Sequence, residues 1–96
     1  MKSAGYKIVH HKKFEREVLK LPVSRQKKIY QILTNLKSRP AELPANTIPL
    51  KGFGHVYRTR VGDVRLIYQV DHSSKLIKVL ASDYRGNVYR LVSARV

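Results

Sequence analysis

The 96-residue sequence has no cysteine and no tryptophan, one methionine, and only six acidic residues. Without cysteine the chain can form no disulfide, offer no thiolate to a metal and use no thiol as a nucleophile. Four histidines are present, but His10 and His11, the two that stand together, have no acidic companion at ligand spacing, so no metal centre is expected. No apolar run is long enough to span a bilayer, no long basic amphipathic helix carries aromatic anchors, and Met1 to Gly5 lacks the apolar core of a secretory leader. The expectation is a cytoplasmic protein that needs no membrane, metal or small-molecule cofactor.

Positive charge is what the sequence has in excess. Twenty Lys and Arg against six Asp and Glu give a formal charge of +14, far more than solubility requires and unfavourable to the compact state through self-repulsion. A polyanion is the partner this anticipates, with nucleic acid ahead of a lipid surface. The length suits one domain, residues 1–96, and 43% apolar residues suffice for a modest core and marginal stability.

Residues 6–10 alternate weakly and read as a short first strand. Phe14, Val18 and Leu21 recur at helical spacing until Pro22 stops them. Ser24 is a candidate N-cap for a second helix, in which Ile29, Ile32, Leu33 and Leu36 fall on one face before Pro40. Two helices so closely joined form an antiparallel hairpin whose apolar stripes need a cover. Between Arg39 and Pro49 three prolines predict an irregular connection.

From Val56 onward the chain turns to β-branched and aromatic residues in three runs, 56–61, 64–70 and 75–81, separated by Gly62-Asp63 and by the turn residues 71–74, which include Asp71 and His72. The third run has almost no polar face and is expected in mid-sheet, buried on both sides. Gly86 and Asn87 mark a further turn before a short tail at 88–92. The predicted fold is α+β: a mainly antiparallel sheet of four to five strands, with the N-terminal helix hairpin on one face, in the order β-α-α-β-β-β.

A two-residue turn at Gly62-Asp63 sets the register of its hairpin: Val61 faces Val64, Arg60 faces Arg65, Thr59 faces Leu66 and Arg58 faces Ile67. Strand alternation then puts Arg58, Arg60 and Arg65 on one side and Tyr57, Thr59, Val61, Val64, Leu66 and Tyr68 on the other, against the helices. Like charges directly opposite cost a hairpin a few tenths to about 1 kcal/mol. An anion held between them removes that cost, and guanidinium forks match phosphate oxygens well. Lys51 upstream, and Arg85 and Tyr89 after the last strand, could close over the same concavity. His55, in the loop before the hairpin, lies within reach of that face in this reading.

The segments Lys51-Gly52, Val56-Tyr57-Arg58-Thr59-Arg60, Gly62-Asp63-Val64-Arg65-Leu66-Ile67-Tyr68-Gln69-Val70 and Arg85-Gly86-Asn87-Val88-Tyr89-Arg90 together resemble the signature of the RelE/ParE toxin superfamily. The resemblance implies a ribosome-dependent, metal-independent endoribonuclease that cuts mRNA and is paired with a RelB-like antitoxin. By position it implies Arg60, Arg65, Arg85 and Tyr89 as catalytic residues, with Lys51, Arg58 and Arg90 binding RNA phosphates. The chain differs from some relatives in having arginine, not lysine, at Arg58 and Arg60, and Ser82-Asp83 where they carry a further arginine. Its tail, ending at Val96, is expected to be shorter than in relatives that finish with a helix.

Arginine holds its proton too tightly to act easily as a base, so Arg60 and Arg65 are expected to stabilise charge, leaving proton transfer to Tyr89 or Lys51. Two other readings stay open. One is a ParE-like poison of DNA gyrase acting by binding; the other is a non-catalytic basic protein that binds RNA or ribosomes through charge alone. Arg60, Arg65, Arg85 and Tyr89 taken together favour RNA cleavage.

Overall fold

Helices form where the apolar spacing in the first half of the chain predicts them. The computed structural model describes residues 5–84 and the backbone of 88–95, with the side chains of 90–95. A strand β1 (Lys7–His10) leads into α1 (Lys12–Leu19). His11 is extended, and its Nδ1 accepts a hydrogen bond from the Lys13 N–H at 3.1 Å, which caps the helix. Eight residues are too few for a helix to hold alone, and α1 is secured by burial of Phe14 and Val18.

Helix α2 (Val23–Ser38) begins two residues earlier than a Ser24 cap would have it. Pro22 is the N-cap: its carbonyl accepts from the N–H groups of Arg25 and Gln26 at 3.0 and 3.1 Å, while the Gln26 amide donates to the Leu21 carbonyl at 2.8 Å. The predicted stripe of Ile29, Ile32, Leu33 and Leu36 is buried.

Four strands follow: β2 (Thr47–Pro49), β3 (Val56–Val61), β4 (Val64–Asp71) and β5 (Leu76–Asp83). They form one five-stranded sheet in the order β1-β5-β4-β3-β2, antiparallel except where β1 runs parallel to β5. The α+β class and the helix pair on one face are as the sequence predicts. Two stretches carry more structure than expected. Within the proline-rich connection, Thr47, Ile48 and Pro49 pair with Thr59, Arg58 and Tyr57; Pro49 is tolerated because β2 is an edge strand. And residues 88–95 form a helix, α3 (Val88–Arg95), where a short tail was expected.

Apolar side chains separate into two clusters, one on each side of the sheet. The larger joins Phe14, Val18, Ile29, Leu33 and Leu36 of the helices to Val61, Val64, Leu66, Tyr68, Ile77 and Val79. The smaller gathers Leu50, Val56, Ile67, Leu80, Ala81 and Val92, with Phe53 and Leu91 packed against it. A register shift opposite Ile67 and Tyr68 leaves Leu80 outside the β4–β5 pairing. This bulge turns Leu80 and Ala81 toward the same side, and α3 docks there. The strand is therefore buried on both faces, as its composition predicts.

Candidate nucleic-acid interface

The β3–β4 turn sets the geometry of the site. Gly62 has φ +62° and Asp63 does not share the left-handed conformation, the arrangement of a II′ turn with glycine first. The pairing is the one that turn dictates: Val61 with Val64, Arg60 with Arg65, Thr59 with Leu66, Arg58 with Ile67. Arg25, near the start of α2, reaches over the tip, and its Nε donates to Asp63 Oδ1 at 3.1 Å. A β-carbon on Gly62 would collide with the Arg25 guanidinium. Arg25 thus clamps the turn from the helix layer, a role 38 residues away in sequence that no local pattern signals.

Beneath the hairpin, on the helix side, the Thr59 hydroxyl lies 2.8 Å from both the Tyr68 and the Thr47 hydroxyls. Thr59 and Tyr68 are buried. Burial pushes the Tyr68 phenol above its ordinary pKa, more than its hydrogen bonds to Thr59 and Thr47 lower it. This chain of hydroxyls ties β2, β3 and β4 together below the arginines.

Arg58, Arg60 and Arg65 share the opposite side. Arg60 and Arg65 are direct cross-strand partners, which puts their backbones about 5 Å apart; Arg58 is diagonal to Arg65, at about 7–8 Å. Arg60 is exposed and the other two are half-buried. Arg65 Nη1 donates to the Tyr84 carbonyl just beyond β5. Asp83, across from Arg65 on its other flank, turns its Oδ1 to the Tyr84 N–H at 2.7 Å. Among the described residues the ion pairs are Arg25–Asp63, Arg39–Glu42 and Arg95–Glu17, and none involves these three arginines. Guanidinium groups without a carboxylate partner are the kind that can take up an external anion.

The arginine side is not bare, as a simple two-layer reading would have it. Part of it is covered by the second apolar cluster, in which Val92 and Leu91 of α3 pack with Val56, Ile67, Leu80 and Ala81. Lys51 is exposed in the turn between Leu50 and Phe53, which both belong to that cluster. Arg90 is exposed on α3, and the Tyr89 backbone lies in the first turn of that helix. The Tyr89 side chain and Arg85 lie outside the described residues. His55 is elsewhere: it precedes β3 at the end away from Arg60, its ring centroid 5.7 Å from that of His72, whose Nδ1 is 2.8 Å from the Tyr6 hydroxyl. Among the described residues no three His, Asp or Glu side chains gather as metal ligands, and no helix is long and apolar enough to cross a membrane.

No family model matches the sequence. A chain of the archaeal RelE–RelB complex from Pyrococcus horikoshii is 30% identical and superimposes with a TM-score of 0.74, covering 88% of this chain and 99% of its own. The chain belongs to the RelE/ParE toxin superfamily. RelE1 of Methanocaldococcus jannaschii is 29% identical over 86 residues, spanning 88% of this chain and 96% of that protein. The intact Escherichia coli RelBE toxin–antitoxin complex contributes a chain at 20% identity with TM-score 0.71, over 85% of this chain and 99% of that one. At that identity the likeness is one of fold.

Proposed function

We propose that this RelE-like protein is the toxin of a type II toxin–antitoxin pair, a ribosome-dependent endoribonuclease that cleaves mRNA without a metal and is held inactive by a RelB-like antitoxin. The observation that carries the reading is the Arg60–Arg65 cross-strand pair, with Arg58 beside it and no carboxylate partner for any of the three among the described residues. A fold tuned for stability alone has no use for that arrangement; a phosphodiester bound between the two arginines does.

The chemistry is intramolecular. A base removes the proton of the ribose 2′-hydroxyl, the 2′-oxygen bonds to the adjacent phosphorus, and the bond from phosphorus to the 5′-oxygen breaks. That oxygen takes up a proton, leaving a 2′,3′-cyclic phosphate and a 5′-hydroxyl. Arg60 and Arg65 hold the non-bridging oxygens as negative charge builds on them, with Arg85 assisting, an effect whose loss costs on the order of a hundredfold to a thousandfold in rate. Arg58, Lys51 and Arg90 hold neighbouring phosphates and set the register of the strand. Proton transfer falls to Tyr89, with Lys51 the second candidate, because the arginines themselves stay protonated.

The partner follows from the archaeal relative, whose structure is of a RelE–RelB complex. A chain of net charge +14 suits an acidic antitoxin on one hand and ribosome-bound mRNA on the other.

The test is to add the purified protein to translating ribosomes and map mRNA ends by primer extension. Cuts phased to codons, abolished by Arg65→Ala and by Tyr89→Phe, are expected. Intact mRNA, whether or not gyrase–DNA complexes are trapped instead, overturns the reading.

A further inference from the structure

Among the described residues, no strand continues alongside β5 beyond Val79 on the side where β1 pairs. Strand β1 ends at His10, the partner of Val79, and the His11 N–H donates to the Val79 carbonyl at 2.8 Å as the chain turns into α1. The next backbone groups on β5 are met by two side chains instead. Glu17 of α1 accepts from the Ser82 N–H at 3.2 Å, and Arg95 of α3 donates to the Leu80 carbonyl at 2.9 Å. The same two side chains meet each other in a two-pronged ion pair, Nη2 to Oε2 at 2.8 Å and Nη1 to Oε1 at 3.0 Å. Their side chains are only 11% and 24% exposed, whereas Arg25–Asp63 and Arg39–Glu42 are pairs of the open surface.

The pair joins two layers. Glu17 comes from the helix side of the sheet and Arg95 from the arginine side, and they close around the bare edge of β5 from opposite faces. Helix α3 has eight residues, too few to persist without tertiary contacts, and its described apolar anchors are Val92 and the half-buried Leu91. Apolar contacts alone fix the sliding and rolling of so short a helix poorly. A forked guanidinium–carboxylate pair with a backbone carbonyl as third contact removes that freedom, because it is directional in a way apolar packing is not.

We infer that Glu17 is a positioning residue for the nuclease site: through Arg95 it fixes the placement of α3, and with it the first turn that carries Tyr89, relative to the arginine hairpin. This rests on the proposed nuclease reading for its kinetic consequence, but not for its structural one. Glu17 touches no part of the RNA; its effect passes through α3, and errors of about an ångström in placing a reacting group can cost up to about a hundredfold in rate.

Glu17→Gln is the informative variant, because the amide keeps an acceptor for the Ser82 N–H while removing the charge that Arg95 faces. Arg95→Lys keeps the charge and loses the fork. Two readouts are taken on the full chain: hydrogen exchange of the α3 amides, which needs no activity, and single-turnover mRNA cleavage on ribosomes with the mRNA-bound ribosome concentration varied.

In Glu17→Gln the α3 amides should exchange at least about tenfold faster while the α2 and β4 amides keep their protection. The maximal cleavage rate should fall about ten- to a hundredfold with little change in half-saturating concentration, and Arg95→Lys should fall between wild type and Glu17→Gln. Unchanged α3 exchange overturns the inference, as does faster α3 exchange with an unchanged cleavage rate. Loss of protection throughout the chain would make Glu17 a residue of general stability and overturns it too. A wild-type protein that cuts no mRNA defeats the nuclease reading instead, and with it the kinetic role, while the exchange comparison still decides whether the pair holds α3.

Discussion

The hydroxyl oxygens of Thr59 and Tyr68 lie 2.8 Å apart, on the face of the β3–β4 hairpin directly behind the arginines. Thr59 also has Thr47 at 2.8 Å, so Tyr68→Phe leaves it a partner. The variant should lose about 1 kcal/mol, seen as a fall in Tm of about 4–8 °C, with the mRNA-cleaving rate little changed at temperatures where it is folded. Burial raises the Tyr68 pKa above its ordinary value of 10.0. Its contribution is thus complete below that pH and is lost as the pH rises past it, when the unfolded chain gives up the proton more readily. Denaturant titrations should show wild type losing more stability than Tyr68→Phe in that alkaline range.

Gly62 is constrained twice, by its positive φ of 62° and by the Arg25 guanidinium over the place a β-carbon would take. Gly62→Ala should therefore destabilise by about 1–2 kcal/mol from backbone conformation alone. It also pushes Arg25 off Asp63. Chemical denaturation measures the first effect. The second predicts that Arg25→Ala costs less in the Gly62→Ala background than in wild type.

How the chain could be read from its sequence follows from which interactions are local. The hairpin register was legible because a two-residue turn leaves no choice of partners for Arg60 and Arg65, and the helices because Ile29, Ile32, Leu33 and Leu36 repeat at one period. Strand β2 was hidden: three residues ending in proline carry no alternation, and Thr47 is a strand residue only because Thr59 is there to pair with it. Helix α3 was hidden for the opposite reason. Val88, Tyr89 and Val92 have β-branched or aromatic side chains that favour strands, and the helix depends on a cluster that the Leu80 bulge creates. Glu17 and Arg95 are 78 residues apart, with nothing local to link them. Of the candidate site, the arginine face was legible; its frame, made by α3 and the Leu50–Phe53 turn, was not.

His11 couples pH to the start of α1. Its pKa is lowered from 6.5, chiefly by loss of solvation and next by the charge of Arg95, with Lys13 and Lys12 adding to it. Its Nδ1 must be unprotonated to accept from the Lys13 N–H. The contribution is present above the unfolded pKa and is lost as the pH falls through the lower folded value. His11→Asn keeps a capping oxygen and should flatten the stability profile below neutrality; an unchanged profile would remove His11 from the account. In Arg95→Gln, NMR titration should find the His11 pKa moved upward.

The arginine pair should cost the fold something. Replacing Arg60 with threonine, a good strand former, removes like-charge repulsion across from Arg65, and Arg60→Thr should gain a few tenths to about 1 kcal/mol. The gain should shrink in high salt, which screens the repulsion in wild type. Thermal unfolding at low and high ionic strength checks both statements, and the same variant should lose about a hundredfold to a thousandfold in its rate of mRNA cleavage.

The most direct measurement is a double-mutant cycle with Arg60→Ala and Arg65→Ala, read as single-turnover cleavage of ribosome-bound mRNA. If the two guanidiniums stabilise one phosphate, each single variant loses about a hundredfold to a thousandfold, and the double variant loses little more than either, because the pair acts as a unit. Losses that multiply in the double variant, or a single variant that cleaves at the wild-type rate, would contradict a shared phosphate site.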